Sequence, residues 1–163
     1  MTSRTVQLER LSVTSSKSFE AVVAAIKSAV GHPEISELFN AINSGQTLNE
    51  LERAVQRSLG RTGLMMFMAF DHGAVIRKET GSDAPKIMRF LIGNPLVMKE
   101  MAKHIPDAGS YAPVTILVDE RKDGVHLSYD KMASLLAVYG SPEALAVARD
   151  LDSKIENLIR ESA

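Results

Sequence analysis

The dipeptide Asp71-His72, within Phe70-Asp71-His72-Gly73, places a carboxylate beside an imidazole. A neutral imidazole can accept a proton as a general base or ligate a metal. Adjacent residues on a strand point to opposite faces, so Asp71 and His72 cannot easily serve each other there, and each needs a partner from elsewhere. The same residues also suit a quieter role. Asp71 can accept backbone N–H bonds in a turn, and His72 can hydrogen-bond at a sheet edge. Three more histidines are present. His32 follows Gly31 at a helix end, and His104 falls in a last helical turn, where a cation is favoured. His126 shares strand parity with Ser128 and Asp130, opposite Val125, Leu127 and Tyr129, so it faces solvent or a second layer if the latter three face the core. No HxxH, HExxH or HxH spacing occurs, and no metal site or cofactor is expected.

Gly93-Asn94-Pro95 offers a second kind of chemistry. A helix that begins at Pro95 presents free N–H groups and a positive dipole end, which suits an anion. Local chemistry competes with that reading, because Asn94 before proline is held extended, as an N-cap requires, and would consume one of those donors. Six of the eight methionines lie between Met65 and Met101. Met65, Met66, Met68, Met88, Met98 and Met101 either fill an irregular core or line one adaptable apolar cavity. Neither a Gly-rich phosphate loop nor a G-x-S-x-G elbow is present. Ser15-Ser16-Lys17-Ser18 lacks a serine three residues before the lysine and reads as helix capping.

The elements that must position these groups follow from periodicity. A first strand is expected over Thr5 to Thr14, then a helix with Phe19, Val22, Val23, Ile26 and Val30 on one face, ended by Gly31. A helical hairpin spans Pro33 to Leu59, turning at Asn43-Ser44-Gly45, with capping-box spacing at Thr47 and Glu50. Leu64 to Phe70 is apolar at both parities, which predicts a strand buried on both faces and central in its sheet. Further strands are expected over Lys86 to Ile92, Val114 to Asp119 and Val125 to Tyr129, the last two joined as a hairpin around Gly124. Helices follow from Pro95 to His104 and from Ser141-Pro142 onward. The order gives an α+β fold with a mainly antiparallel sheet of about four to five strands packed with helices.

The 163 residues suit one domain over 1–163, with 45% hydrophobic and 24% charged residues. A net charge of −1 gives no footprint for nucleic acid or an anionic membrane. The absence of cysteine excludes disulfides, thiolate zinc sites and a cysteine nucleophile. With no signal-like apolar segment at the start and no window long enough to span a bilayer, a cytoplasmic location is expected.

Four segments, Phe70 to Gly73, Ile92 to Pro95, Tyr111 to Val118 and His126 to Asp130, with Leu151-Asp152 near the end, together resemble the bacterial and archaeal family known as domain of unknown function 302. The resemblance rests on their order and spacing and covers most of the chain. It implies a compact α+β fold, with dimers common among the family's members, and no accepted activity. It marks the hairpin at 33–59 as an elaboration found in part of the family. The family's Asp-His pattern carries over onto Asp71-His72, and its motifs place Tyr129 and Asp130 at strand ends. The family often continues with a basic residue and Pro-Ser, where this chain has Lys131-Met132-Ala133.

These readings give a homodimeric small-molecule binding module. Its apolar, Met-lined pocket would lie near Asp71, His72, Asn94, Tyr129 and Met68, and would take a small apolar or anionic ligand. One alternative is an enzyme in which His72 moves protons, assisted by Tyr129 or Asp130. Another is a partner-docking protein without a ligand, using the helical hairpin as its surface.

Overall fold

Clean alternation along Val114–Arg121 and Gly124–Asp130 builds the centre of the protein, a computed structural model that describes residues 1, 3–45, 47–81 and 84–163. In chain order the strands are β1 (Arg10–Ser15), β2 (Met65–Asp71), β3 (Ile87–Gly93), β4 (Val114–Arg121) and β5 (Gly124–Asp130). They form one antiparallel sheet in the order β1-β5-β4-β3-β2. Gly124, at φ 137°, turns β4 into β5 in a conformation that a side chain would resist. The inner face carries Phe90, Ile92, Ile116, Val118, Leu127 and Tyr129, all buried.

Among the described residues, seven α-helices accompany the sheet: α1 (Phe19–Ala29), α2 (Ile35–Ser44), α3 (Leu48–Arg57), α4 (His72–Thr80), α5 (Pro95–Ala102), α6 (Met132–Leu136) and α7 (Pro142–Ser162). Ser18 caps α1 by accepting from Ala21 N–H, and Ser141 caps α7 by accepting from Ala144 N–H. α1 and α7 bury Val22, Ile26, Ala148, Leu151, Ile155 and Ile159 in the main core. α2 and α3 form the expected hairpin, and Thr47 and Glu50 make a complete capping box. The hairpin keeps a small core of its own, where Leu38 and Val55 meet Met65, with Ile42, Leu51, Phe67 and Leu96 packed around them. Its two roots are pinned. Gly31 N–H and Gly60 N–H both donate to the Leu64 carbonyl at 2.9 Å. A Cβ on Gly31 would sit 1.9 Å from the Ser58 carbonyl oxygen, so only glycine permits this approach. None of the helices is long and apolar enough to cross a membrane among the described residues.

One placement differs from the sequence reading. β2 is an edge strand whose ladder partner is β3, with a single bridge from Gly31 to Met65 on its other side, and its burial falls off along its length. Met65 and Met66 are buried, whereas Met68 is 48% and Phe70 38% exposed. The apolar residues of both parities belong to two environments in succession: the hairpin and main cores first, then an uncovered sheet face after a register shift between Met66 and Met68. α4 and α6 are elements that periodicity did not announce, and the first strand starts at Arg10 rather than Thr5.

Candidate functional site

The candidate residues fall into separate places. Asp71 ends β2 and caps α4. Its Oδ1 accepts from Ala74 N–H at 2.8 Å and its Oδ2 takes Arg77 at 2.8 Å. These interactions, the Ala74 amide first and then Arg77, hold the Asp71 carboxyl below its ordinary value. Asp71 also lines a shallow cleft of about 390 Å³ with Phe19, Glu20, Lys27, Lys86 and Arg77, in which Asp71 pairs with Arg77 and Glu20 with Lys86. His72 opens α4 on the exposed side, its ring parallel to that of Phe70 at 6.0 Å between centroids. Met68 stands on the open face of the sheet.

Tyr129 points inward. It is 1% exposed, and its hydroxyl donates to Asp152 Oδ1 at 2.6 Å. The same carboxylate accepts from Met132 N–H at 2.8 Å and Ala133 N–H at 3.0 Å, tying β5, α6 and α7 together. Burial, and then the Asp152 charge, push the Tyr129 hydroxyl well above the ordinary tyrosine value, so it stays protonated. Asp130, its neighbour, faces the opposite side and forms a two-pronged pair with Arg10, at 2.5 and 2.8 Å. The motif residues Tyr129 and Asp152 thus meet each other, not His72. His126 lies on the open face as parity required, with Nε2 2.9 Å from Asp123 and Nδ1 3.5 Å from the Thr14 hydroxyl. His32 bonds the Lys27 carbonyl at 2.7 Å, closing the end of α1.

Asn94 is the one candidate that reaches a substantial apolar cavity. Its Oδ1 accepts from Leu96 N–H at 2.9 Å, which is the expected cap. Its Nδ2 donates to the Gly63 carbonyl at 3.1 Å, a bond that sequence spacing did not suggest. Beside it runs a groove of about 520 Å³. Phe39, Ile42, Asn43 and Leu51 of the hairpin form one wall, and Pro95, Val97, Met98 and Lys99 of α5 form the other. Phe67, Gly93, Ala112 and Pro113 close the end of the sheet, while Met101, Val114 and Leu151 reach it from the main core. The groove is therefore the seam between the two hydrophobic clusters, and its lining is mainly apolar. Of the six clustered methionines only Met98 and Met101 line it; Met65 and Met66 fill cores, Met88 lines the Asp71 cleft, and Met68 faces outward. Lys99, in the groove lining, and Lys103, outside it, both pair with Glu100 and hold its carboxyl below the ordinary value, Lys103 most strongly. The hairpin half of this groove was missed in the sequence because its wall is built by packing between segments 39–51 and 93–113, which no local pattern reports.

Among the described residues, no group of three or more His, Cys, Asp or Glu side chains is placed to hold a metal ion. Asp71 and Asn94 cap helices, Asp130 pairs with Arg10 and Tyr129 bonds to Asp152, while the groove lining is mainly apolar. A search of curated proteins returns no match. The fold is similar to the crystal structure of an uncharacterized conserved protein, DUF302, from Bacillus stearothermophilus, with a TM-score of 0.66 and 9% identity, covering 94% of this chain and 98% of that one. Residues 40–162 match the model described as Domain of unknown function DUF302, and the chain belongs to that family.

Proposed function

We propose that this protein is a small-molecule binding module that takes an apolar ligand into the seam between the helical hairpin and α5. The observation behind this reading is the groove itself: about 520 Å³, mainly apolar, with the Asn94 amide at its edge already bonded on both sides. Its volume falls within the range typical of ligand sites, and an apolar lining with few polar groups is their usual make-up. Phe39, a large apolar side chain of the hairpin wall, stands 49% exposed beside the groove. Titration with a neutral fluorescent probe such as N-phenylnaphthylamine tests the reading. Saturable binding is expected, weakened by Phe39→Asp at the rim and by Met98→Gln in the wall. Absence of saturable binding, or binding indifferent to both substitutions, would overturn it.

The enzymatic alternative draws less support. His72 sits on the exposed start of α4, apart from Tyr129, which is committed to Asp152, and from Asp130, which is committed to Arg10. The docking alternative shares the hairpin with the binding reading, and the probe titration separates the two.

We further propose that the protein is a homodimer. The outer face of the sheet, with Met68, Phe70, Arg89, Leu91 and Leu117 in adjoining register positions, carries a partly exposed apolar half. Two-fold dimers are the commonest oligomers, and such a face can meet its own copy. Light scattering is expected to give twice the chain mass for the wild type and a monomer for Phe70→Glu. A wild-type monomer at high micromolar concentration would refute the dimer.

A further inference from the structure

The charge at the groove's rim narrows the class of ligand. Lys99 lines the groove from α5 and is 38% exposed at its side chain. It shares one carboxylate, Glu100, with Lys103. Two ammonium groups against one carboxylate leave one positive charge in excess in this group, whose Lys99 lines the apolar groove. At the α5 N-terminus, Asn94 Oδ1 already takes the Leu96 N–H and Pro95 carries none, which reduces the donors offered to an anion there. Asn43 lines the groove from the hairpin wall and adds a polar group to Lys99 and Asn94 there. Resting on the groove reading above, we infer that the ligand is amphipathic: an apolar chain in the seam and a single acidic head, such as a carboxylate, held by Lys99 at the rim.

The chemistry is that of a half-exposed ion pair appended to hydrophobic burial. The chain supplies most of the affinity through apolar area removed from water. The head supplies preference and orientation, because a charged head cannot follow the chain inward without losing its hydration. Glu100 does not cancel the site, since Lys103 remains to balance it when Lys99 turns to the ligand head.

Dodecanoate and dodecanol, which share a chain and differ in the head, separate these contributions when each displaces a neutral fluorescent probe at neutral pH and low salt. Dodecanoate is expected to bind roughly fivefold tighter than dodecanol, the scale of a partly exposed ion pair. Lys99→Gln is expected to bring the two affinities together, Lys99→Arg to keep most of the preference, and added salt to shrink it in the wild type. Equal binding of acid and alcohol by the wild type, or a preference that survives Lys99→Gln, would overturn the acidic-head inference while leaving the groove standing. Failure of both compounds to displace a probe that does bind would overturn the inference as well, and a protein that binds no probe at all would fail at the groove itself.

Discussion

Replacing Asp152 by alanine should cost this protein a large part of its stability. The carboxylate is 5% exposed and receives Tyr129 Oη at 2.6 Å, Met132 N at 2.8 Å and Ala133 N at 3.0 Å. Alanine leaves the Tyr129 hydroxyl without its acceptor. Ala133 N–H loses its acceptor too, although its residue is only part-buried and water can replace some of the bond. Met132 N–H retains just the 3.3 Å contact to Tyr129 Oη. Each orphaned buried polar group costs about 1–3 kcal/mol, so the sum for two strongly affected groups and one partly affected group is about 3–5 kcal/mol. That is a large share of the 5–15 kcal/mol by which domains are typically stable. Tyr129→Phe removes one donor and leaves the carboxylate with both backbone bonds, so its cost is about 1–2 kcal/mol. Because the two residues share one network, the double variant should cost at least about 0.5 kcal/mol less than the sum of the singles. Urea unfolding of the wild type, both single variants and the double variant measures this cycle. A cost below about 1 kcal/mol for Asp152→Ala, or strict additivity of the singles, would refute the view that these family motifs build one buried support for α6.

Asn94→Ala should destabilise by about 2 kcal/mol, one from the cap and one from the bond to Gly63, and Asn94→Ser should recover only the first part, as measured by chemical denaturation. Asn94→Asp keeps the acceptor but turns the donor toward the Gly63 carbonyl into a carboxylate oxygen, so it should be less stable than Asn94→Ser. His72→Gln alters an exposed side chain and should shift unfolding by less than about 0.5 kcal/mol while leaving probe binding in place; loss of a measured turnover in an intact fold would favour the enzyme reading. The Tyr129 hydroxyl has its folded pKa raised above the unfolded value, so its contribution is fully present below pH about 10 and is lost as pH rises past that point. Unfolding at increasing alkaline pH should therefore show falling stability, with a shallower decline in Tyr129→Phe.

The parts of the fold that read correctly from sequence are those where a local rule and the packing agree. The hairpin at α2 and α3 follows from its helical stripes and its Thr47–Glu50 capping box, and β4–β5 from alternation around Gly124. Asn94 was legible as a cap because Pro95 fixes both its own backbone and that of the residue before it. β2 misled because apolar composition reports affinity for a covered surface, not which surface covers it. Met68 and Phe70 stay apolar on an open face. α4 escaped notice because Gly73 and an exposed Val75, at 72%, blur its stripe. The site was legible only in part. Asn94, Met98 and Met101 do meet at one groove, but Tyr129 finds Asp152 instead of His72. That partner lies 23 residues away, on α7 rather than on a strand, beyond any spacing rule.

The pinned roots of the helical hairpin have a consequence for how this protein can change. Gly31 and Gly60 converge on the single Leu64 carbonyl, so the segment between them leaves the body and returns to nearly the same point. A segment whose ends already meet can lengthen or shorten at low entropic cost, about 0.6 kcal/mol for each doubling of a flexible loop. Its removal or exchange leaves the pairing of β3, β4 and β5 untouched, since those strands make no ladder with it. One wall of the groove is therefore a replaceable cassette, while the opposite wall is built on α5 against α7 and the sheet end. Variation confined to the cassette would recut the cavity for a different molecule without re-solving the folding problem of the rest of the chain.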